Sequence, residues 1–320
     1  QEERRLKSDS VQRWRPYRLL LASWLCCFSA FAWAQPAPIS GTLGAVGSDT
    51  MAGLMLRWGE ALNARYPDIT LQFQAGGSAS APTALVAGTT RIGPMSRAMT
   101  ERERQQFIQR YGYPPLQLSV ARDALVLVVH RHNPLEALSL AQVDAIFSTT
   151  LACGADAPLQ RWASLLPATD WPYGHIALHG RTLASGTQGL FQQRALCGGQ
   201  FRRDISEHPG AAAVITAVGE SPNAMGYAGY NHLTPMVRAV ALADEQGTPV
   251  EPNGANIQKA TYPLSRTLYL YVNQPPGEAL PAAEQAFLEL VFSAEGQQIV
   301  QAAGFVALPD HLRSSQALDD

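Results

Sequence analysis

A chain of 320 residues, 46% of them hydrophobic and 16% charged, is long enough to bury two ordinary cores, and it is too apolar for disorder to be the default reading. The formal net charge is −2. With no basic surplus or stripe, nothing in the charge balance points to a nucleic-acid partner.

The first 34 residues read as a leader. Arg4, Arg5, Lys7, Arg13, Arg15 and Arg18 precede an apolar run from Leu19 to Ala34 that ends in Ala32-Trp33-Ala34. A basic flank, a short apolar stretch and a small-x-small site make a secretory signal peptide, 1–34. The alternative is a membrane anchor, for which the run is shorter than the usual ~20 apolar residues. Bulky Leu25 argues against a lipid on Cys26. Cleavage after Ala34 removes six of 24 basic and three of 26 acidic residues, leaving a net charge of −5. Cys26 and Cys27 leave with the leader, and Cys153 and Cys197 remain. An even pair in an oxidising compartment reads as a disulfide, with two buried free thiols as the alternative. Periplasmic location, or secretion, is the corresponding expectation.

Beyond a short Pro-containing stretch, one pattern repeats: a short β run, a Gly/Ser/Thr turn, then a helix. Gly41 to Val46 is a strand and Gly47-Ser48-Asp49-Thr50 its turn. Leu54, Met55, Trp58, Leu62 and Tyr66 then fall at helical spacing, and Pro67 ends the run. Ile69 to Phe73 is the next strand, Gly76 to Ser80 a turn, and Pro82 to Ala87 a helix. Arg91-Ile92-Gly93 is a short strand leading to Ser96. A polar helix from about Thr100 to Arg110 carries Glu101 and Glu103 in its first turn, where the dipole favours them.

Ala124 to His130 is continuously apolar, as in a strand buried on both faces. Ser139 to Phe147 reads as a helix, and Cys153 to Tyr173 as an irregular loop tethered by the disulfide. His175 to His179 is a strand running into Gly180-Arg181, and Ser185-Gly186-Thr187 opens another helix. Ala211 to Val218 is helical, Ala224 to Tyr230 and Thr267 to Val272 are strands, and Ala282 to Val300 forms one or two helices. This alternation predicts an α/β fold with mostly parallel sheets.

Four turns place small hydroxyl residues where a strand gives way to a helix: Ser48-Asp49-Thr50, Ser78, Ser96-Arg97 and Ser185-Gly186-Thr187. Such turns offer backbone N–H groups and the positive end of a helix dipole to an anion. Any one of them is equally an ordinary N-cap. Together, on the common edge of an α/β sheet, they suggest a ligand site. Arg97 and Arg181 could add bidentate contacts to a tetrahedral oxyanion, or each could form an ordinary ion pair. No Walker sequence, nucleophile elbow or dinucleotide fingerprint is present. The pairs His130/His132 and His175/His179 read as surface or hydrogen-bonded histidines rather than metal ligands.

The segments GSDTM, GGSASAPTAL, IGPMSRAM, ARDALVLVVHRHNP, LSLAQVDAIFS, GRTLASGTQGLF, AMGYAGY, YPLSRTLYLYVN and FSAEGQQIVQAAGF, in this order and spacing, resemble the periplasmic phosphate-binding proteins of Pst-type ABC transporters. The resemblance implies a two-lobed clamshell, each lobe a mixed, mostly parallel sheet flanked by helices, with lobe 1 at 35–122 plus 263–320 and lobe 2 at 123–262. It implies phosphate in the interlobe cleft, held by Ser48, Asp49, Thr50 and Ser78 from one lobe and Arg181, Ser185, Gly186 and Thr187 from the other. Ser96 stands where some members carry an aspartate that accepts the phosphate proton, so Ser96 or Asp49 takes that role. The implied partner is an inner-membrane ABC permease. The chain is expected to be a monomer without metal, cofactor or catalytic residues. The competing readings are an extracellular phosphate-binding or phosphate-sensing relative, a weak phosphatase on the same scaffold, and a sulfate binder. An acceptor such as Asp49 would repel sulfate, which carries no proton.

Overall fold

The structure, a computed structural model, describes residues 39–166 and 170–314. The expected leader and its cleavage site after Ala34 lie outside the described residues. Strand β1 (Gly41–Val46) pairs in parallel with β2 (Ile69–Gln74) and with β3 (Ile92–Met95). Between β1 and β2 a 3-10 turn, Asp49–Met51, leads into helix α1 (Ala52–Arg65). Of the predicted set, Leu54, Met55, Trp58 and Leu62 are fully buried, and Tyr66, just past the helix end, is partly buried against the same core. Helix α2 (Ser80–Ala87) follows β2 and ends on left-handed Gly88. Helix α3 (Glu101–Tyr111) starts with a complete capping box, Thr100 with Glu103, and stops at left-handed Gly112.

The sequence reading placed the next strand at Ala124. In the structure it begins earlier, and β4 runs for 15 residues, Leu116–His130. Its first half has one wet face and so lacks the continuous apolar run that marks the second half. Two-residue β5 (Ala137–Leu138) precedes helix α4 (Leu140–Phe147), which opens with a second capping box, Ser139 with Gln142. The loop from Cys153 to Tyr173 is largely irregular, as expected, apart from the short helix α5 (Trp162–Leu165). Cys153 and Cys197 are joined in a disulfide. It ties that loop to the end of helix α6 (Gly186–Ala195), which follows β6 (Ala177–Arg181).

Short β7 (Ser206–His208), helix α7 (Ala211–Glu220) and β8 (Ala224–Gly229) come next. Three small strands, β9 (Val237–Ala239), β10 (Ala241–Ala243) and β11 (Pro249–Val250), have too few residues for a readable alternation. Helix α8 (Gly254–Gln258) leads to β12 (Ser265–Val272). The predicted C-terminal helical stretch is two helices, α9 (Ala282–Phe292) and α10 (Ala294–Ala302), split at Ser293, whose hydroxyl caps the second. One last turn, α11, spans Asp310–Ser314.

The main sheet runs β2-β1-β3-β12-β4-β8-β6-β7, with β9 also on β4. Its flanks are parallel, as the alternation predicted. The central strands β12 and β4 run antiparallel to each other and to their neighbours β3 and β8. The reason is topological, since one strand carries the chain out of the first core and the other brings it back. The described residues belong to one compact unit that holds two main apolar cores. One gathers Leu43, Trp58, Ile92, Val120, Leu268, Phe287 and Val300. The other gathers Leu125, Phe147, Phe191, Val214, Tyr227 and Leu264. Strand β4 passes from the first at Ala121 to the second at Ala124. Trp58 anchors the first core. Its indole N–H donates to the Gly296 carbonyl at 3.0 Å, and its ring meets the edge of Phe287. Truncating such a side chain to alanine costs about 3–5 kcal/mol.

Candidate anion-binding site

The first turn is shaped by close backbone contact. The Ser48 N–H donates to the Pro94 carbonyl at 2.8 Å. A Cβ on Gly47 would lie 2.1 Å from that same oxygen, so only glycine fits. The turn thereby presses onto β3 and buries Ser48 completely. The Ser48 hydroxyl caps nothing and has no partner, although it is buried. The Asp49 carboxylate likewise caps nothing: Oδ2 accepts from Arg181, and Oδ1 is buried without a partner. Thr50 Oγ1 lies 3.1 Å from Thr187 Oγ1.

Two more turns close on the same place. Ser78 and Ser96, both fully buried, share a hydrogen bond of 3.0 Å between their hydroxyls. The Ser96 N–H also donates to Ser78 Oγ at 3.0 Å. Gly77 has φ +88°, and a Cβ there would sit 2.3 Å from the Ala184 carbonyl oxygen. Gly186, the first residue of α6, abuts the serines: its Cβ would meet Ser78 Oγ at 2.4 Å and Ser96 Oγ at 2.8 Å. Ser185 caps the helix, accepting from the Thr187 N–H at 3.2 Å.

Arg181, at the end of β6, is almost wholly buried and held on three sides. Nε donates to the His208 carbonyl at 3.3 Å, and Nη2 to the Pro209 carbonyl at 2.9 Å and to Asp49. The Arg181 backbone N–H donates to the Tyr227 hydroxyl at 3.1 Å. Burial pushes the Tyr227 phenol far above its usual range, so it stays protonated at any working pH. Tyr227 stacks on Phe191 and belongs to the second core.

Nine of the ten expected site residues thus come together: Ser48, Asp49, Thr50, Ser78, Ser96, Arg181, Ser185, Gly186 and Thr187. Arg97 does not join them. Its guanidinium forms a two-pronged pair with Glu103, at 2.8 and 2.7 Å, at the start of α3. That is the ion pair named as its alternative. Three residues in the neighbourhood carried no sequence expectation. Asp123 and Arg266 form a buried pair, with Arg266 Nε and Nη2 both donating to Asp123 Oδ2 at 2.8 and 2.6 Å. His232 lies in the field of Asp49, Asp123, Arg181 and Arg266. Burial first, and the two arginines with it, hold its pKa below the ordinary value against the pull of the carboxylates.

Of the histidines, His179 is hydrogen-bonded: its Nδ1 lies 3.1 Å from His208 Nε2 across β6 and β7. His130 Nδ1 accepts from the His132 N–H at 3.2 Å. Among the described residues, no group of three or more His, Cys, Asp or Glu side chains could hold a metal ion. No helix among them is long and apolar enough to cross a membrane. An open cavity lined by Ser139, Arg194, Asp244, Glu245 and Thr261 lies apart from the cluster. Its arginine is turned to the Pro263 and Ser265 carbonyls, so the cavity offers an anion little.

Chemically, the cluster gathers hydroxyl donors, the N-terminal turn of α6, one buried guanidinium and one carboxylate oxygen without a partner. Donors of this kind suit a tetrahedral oxyanion, and the carboxylate suits one that still carries a proton.

Comparison with known proteins agrees with this chemistry. A sequence profile described as a PBP superfamily domain matches residues 32–295. The phosphate-binding protein PstS of Pseudomonas aeruginosa is 46% identical over 272 residues, covering 85% of this chain and 84% of the relative. The protein of the same name from Staphylococcus saprophyticus is 24% identical, covering 86% and 83%. Among solved structures, a candidate phosphate ABC transporter substrate-binding protein from Clostridium perfringens, with phosphate bound, superposes with a TM-score of 0.70 at 23% identity. That match covers 84% of this chain and 100% of the other. An ABC-type phosphate transport receptor from Vibrio cholerae gives 0.66 at 21% identity, covering 83% and 100%. At these identities the structures speak to the fold, which is the two-lobed α/β clamshell.

Proposed function

We infer the function from one premise: this chain belongs to the PBP superfamily and, within it, to the family of phosphate-binding proteins named PstS. It is a solute-binding protein that captures inorganic phosphate for an ABC phosphate transporter. The observation that carries this reading is the buried pairing of Arg181 with Asp49, beside the partnerless Ser48 hydroxyl and Asp49 Oδ1. Arg181, the hydroxyls and the α6 N–H groups supply donors to the phosphate oxygens. Asp49 Oδ1 supplies the acceptor for the proton that phosphate keeps near neutral pH. Sulfate has the same shape but no such proton, and it would meet that carboxylate without relief.

The phosphate ligands in this reading are Ser48, Asp49, Thr50, Ser78, Ser96, Arg181, Ser185, Gly186 and Thr187, with Arg97 left to Glu103. Lobe 1 is 35–122 plus 263–320 and lobe 2 is 123–262. In support, the two cores change over within β4 and again between Leu264 and Leu268, shortly after the proposed boundary. The protein acts as a periplasmic monomer after cleavage near Ala34, delivers phosphate to an inner-membrane permease, and performs no catalysis. Calorimetric titration of the processed protein with phosphate, arsenate and sulfate tests the reading. Tight binding of phosphate and arsenate with weak or absent sulfate binding is expected. Preference for sulfate, or turnover of a phosphomonoester, would overturn it.

A further inference from the structure

Asp123 and Arg266 are direct register partners on β4 and β12, at the place where the chain passes between the two cores. Their side chains are buried, with relative exposures of 0% and 2%. Backbone walls them in: a Cβ on Gly229 would sit 3.3 Å from Arg266 Nη2 and 3.4 Å from Asp123 Oδ2. As a stabiliser the pair is a poor choice. Removing two charges from water is costly, and apolar residues of similar volume commonly do as well. One carboxylate oxygen, Asp123 Oδ1, is buried without a partner, which adds to the cost. The pair therefore needs a reason beyond holding two strands together.

The third edge of the guanidinium supplies one. Arg266 Nη1 donates to Thr187 Oγ1 at 3.1 Å, and that hydroxyl in turn lies 3.1 Å from Thr50 Oγ1. An arginine can only donate, so it claims a lone pair of Thr187 and directs the hydroxyl proton away from itself. The proton then points toward Thr50 or toward an anion in the cluster. We propose that Arg266, fixed by Asp123, is a positioning residue: it orients the Thr187 hydroxyl as a donor to the bound anion and ties the opening turn of α6 to the strands that connect the lobes. The arrangement forms a relay from Asp123 through Arg266 and Thr187 to Thr50, which joins the crossing strands to both faces of the cluster.

The inference rests on reading the cluster as a phosphate site, and the test separates the two. Inorganic phosphate is titrated calorimetrically into wild type, the charge-neutral pair Asp123→Asn/Arg266→Gln, Thr187→Val, and all three changes together. Melting temperature without phosphate serves as the control for folding. The paired change should weaken phosphate binding about tenfold or more, the scale of a hydrogen bond to a charged group. In the Thr187→Val background the same change should cost less than about twofold, because the hydroxyl it orients is gone. Should the paired variant fail to fold, Arg266→Lys is compared in both backgrounds and read the same way, since an ammonium lacks the fork that serves Asp123 and Thr187 together. Equal losses in both backgrounds, or no loss in either, would overturn the role of Arg266 and leave the phosphate site standing. Wild type without affinity for phosphate would overturn both.

Discussion

Two helix-opening turns meet in the cluster, and they use the same residue types in opposite ways. In Ser185-Gly186-Thr187 the serine hydroxyl is engaged in capping, and the site receives the backbone, glycine and threonine of a well-formed helix end. In Gly47-Ser48-Asp49-Thr50 neither Ser48 nor Asp49 caps anything; one is left unpartnered and the other reaches across to Arg181. The helix end at Ser185 is stable before any ligand arrives. The turn at Ser48 and Asp49 keeps polar atoms buried and under-bonded, a costly state that calls for a reason such as ligand binding. Capping potential in a sequence therefore does not say whether a turn serves the fold or the ligand. The partners of its side chains do.

The largest test of this contrast removes the guanidinium to which Asp49 reaches across. Arg181→Ala deprives a buried anion of its guanidinium and leaves Asp49 without its counter-charge. Loss of phosphate affinity by about 2–5 kcal/mol or more is expected in calorimetry. An unchanged affinity would mean the site lies elsewhere. Asp49→Asn acts next. It removes the proposed proton acceptor and with it the repulsion of sulfate, so the phosphate-to-sulfate affinity ratio should fall by about tenfold or more, the direction set by polar-group discrimination. Because Asp49 caps no helix, a lowered melting temperature with an unchanged ratio would refute its role.

A matched pair of serine changes sharpens the comparison itself. Ser185→Ala should lower the stability of the phosphate-free protein by about 1 kcal/mol, as loss of an N-cap does. Ser48→Ala should leave that stability close to wild type while weakening phosphate binding. Identical thermal shifts for the two variants would erase the distinction drawn here.

The smallest effect comes from pH. The carbonyl of His208 holds Arg181, and the His208 ring meets that of His179. Burial first, and His208 second, keep the His179 pKa below its ordinary 6.5. Below that value the unfolded chain takes up a proton that the folded chain resists, so stability is fully present above pH 6.5 and declines as pH falls toward the folded-state pKa. Melting temperature measured from pH 8 to pH 5 should show this decline, and His179→Gln, which removes the titrating ring, should flatten it. A slope unaffected by the substitution would assign the acid sensitivity to other groups.

The turns were legible because strand-to-helix transitions rich in Gly, Ser and Thr are local signals. So was the second half of β4, where seven successive residues from Asp123 to Val129 are fully buried. Asp123 and Arg266 were not legible. They stand 143 residues apart, and no spacing rule connects them. A charge at the edge of an apolar run was the available clue: Asp123 opens the run to His130, and Arg266 sits between Leu264 and Leu268. Arg97 was assigned to the anion although its partner stood six residues ahead. The pattern Thr100-x-x-Glu103 announced a capping box, and a glutamate fixed there is well placed to take a nearby arginine.

The layout of the two cores also dictates an order of events. The second core is drawn from one continuous stretch, 124–264, whereas the first joins 43–121 to 268–305. A chain that emerges amino end first presents β1, β2 and β3 long before β12, the strand that pairs Tyr269 with Met95. Contacts so distant in sequence form late, because their loop must close before they are rewarded. The interior half of the molecule can therefore assemble as a unit while the amino-terminal strands wait, exposed along one edge, for the last fifth of the chain. The anion cluster needs both halves, so ligand binding is a property that appears only at completion. It marks the finished molecule and no partial product of synthesis.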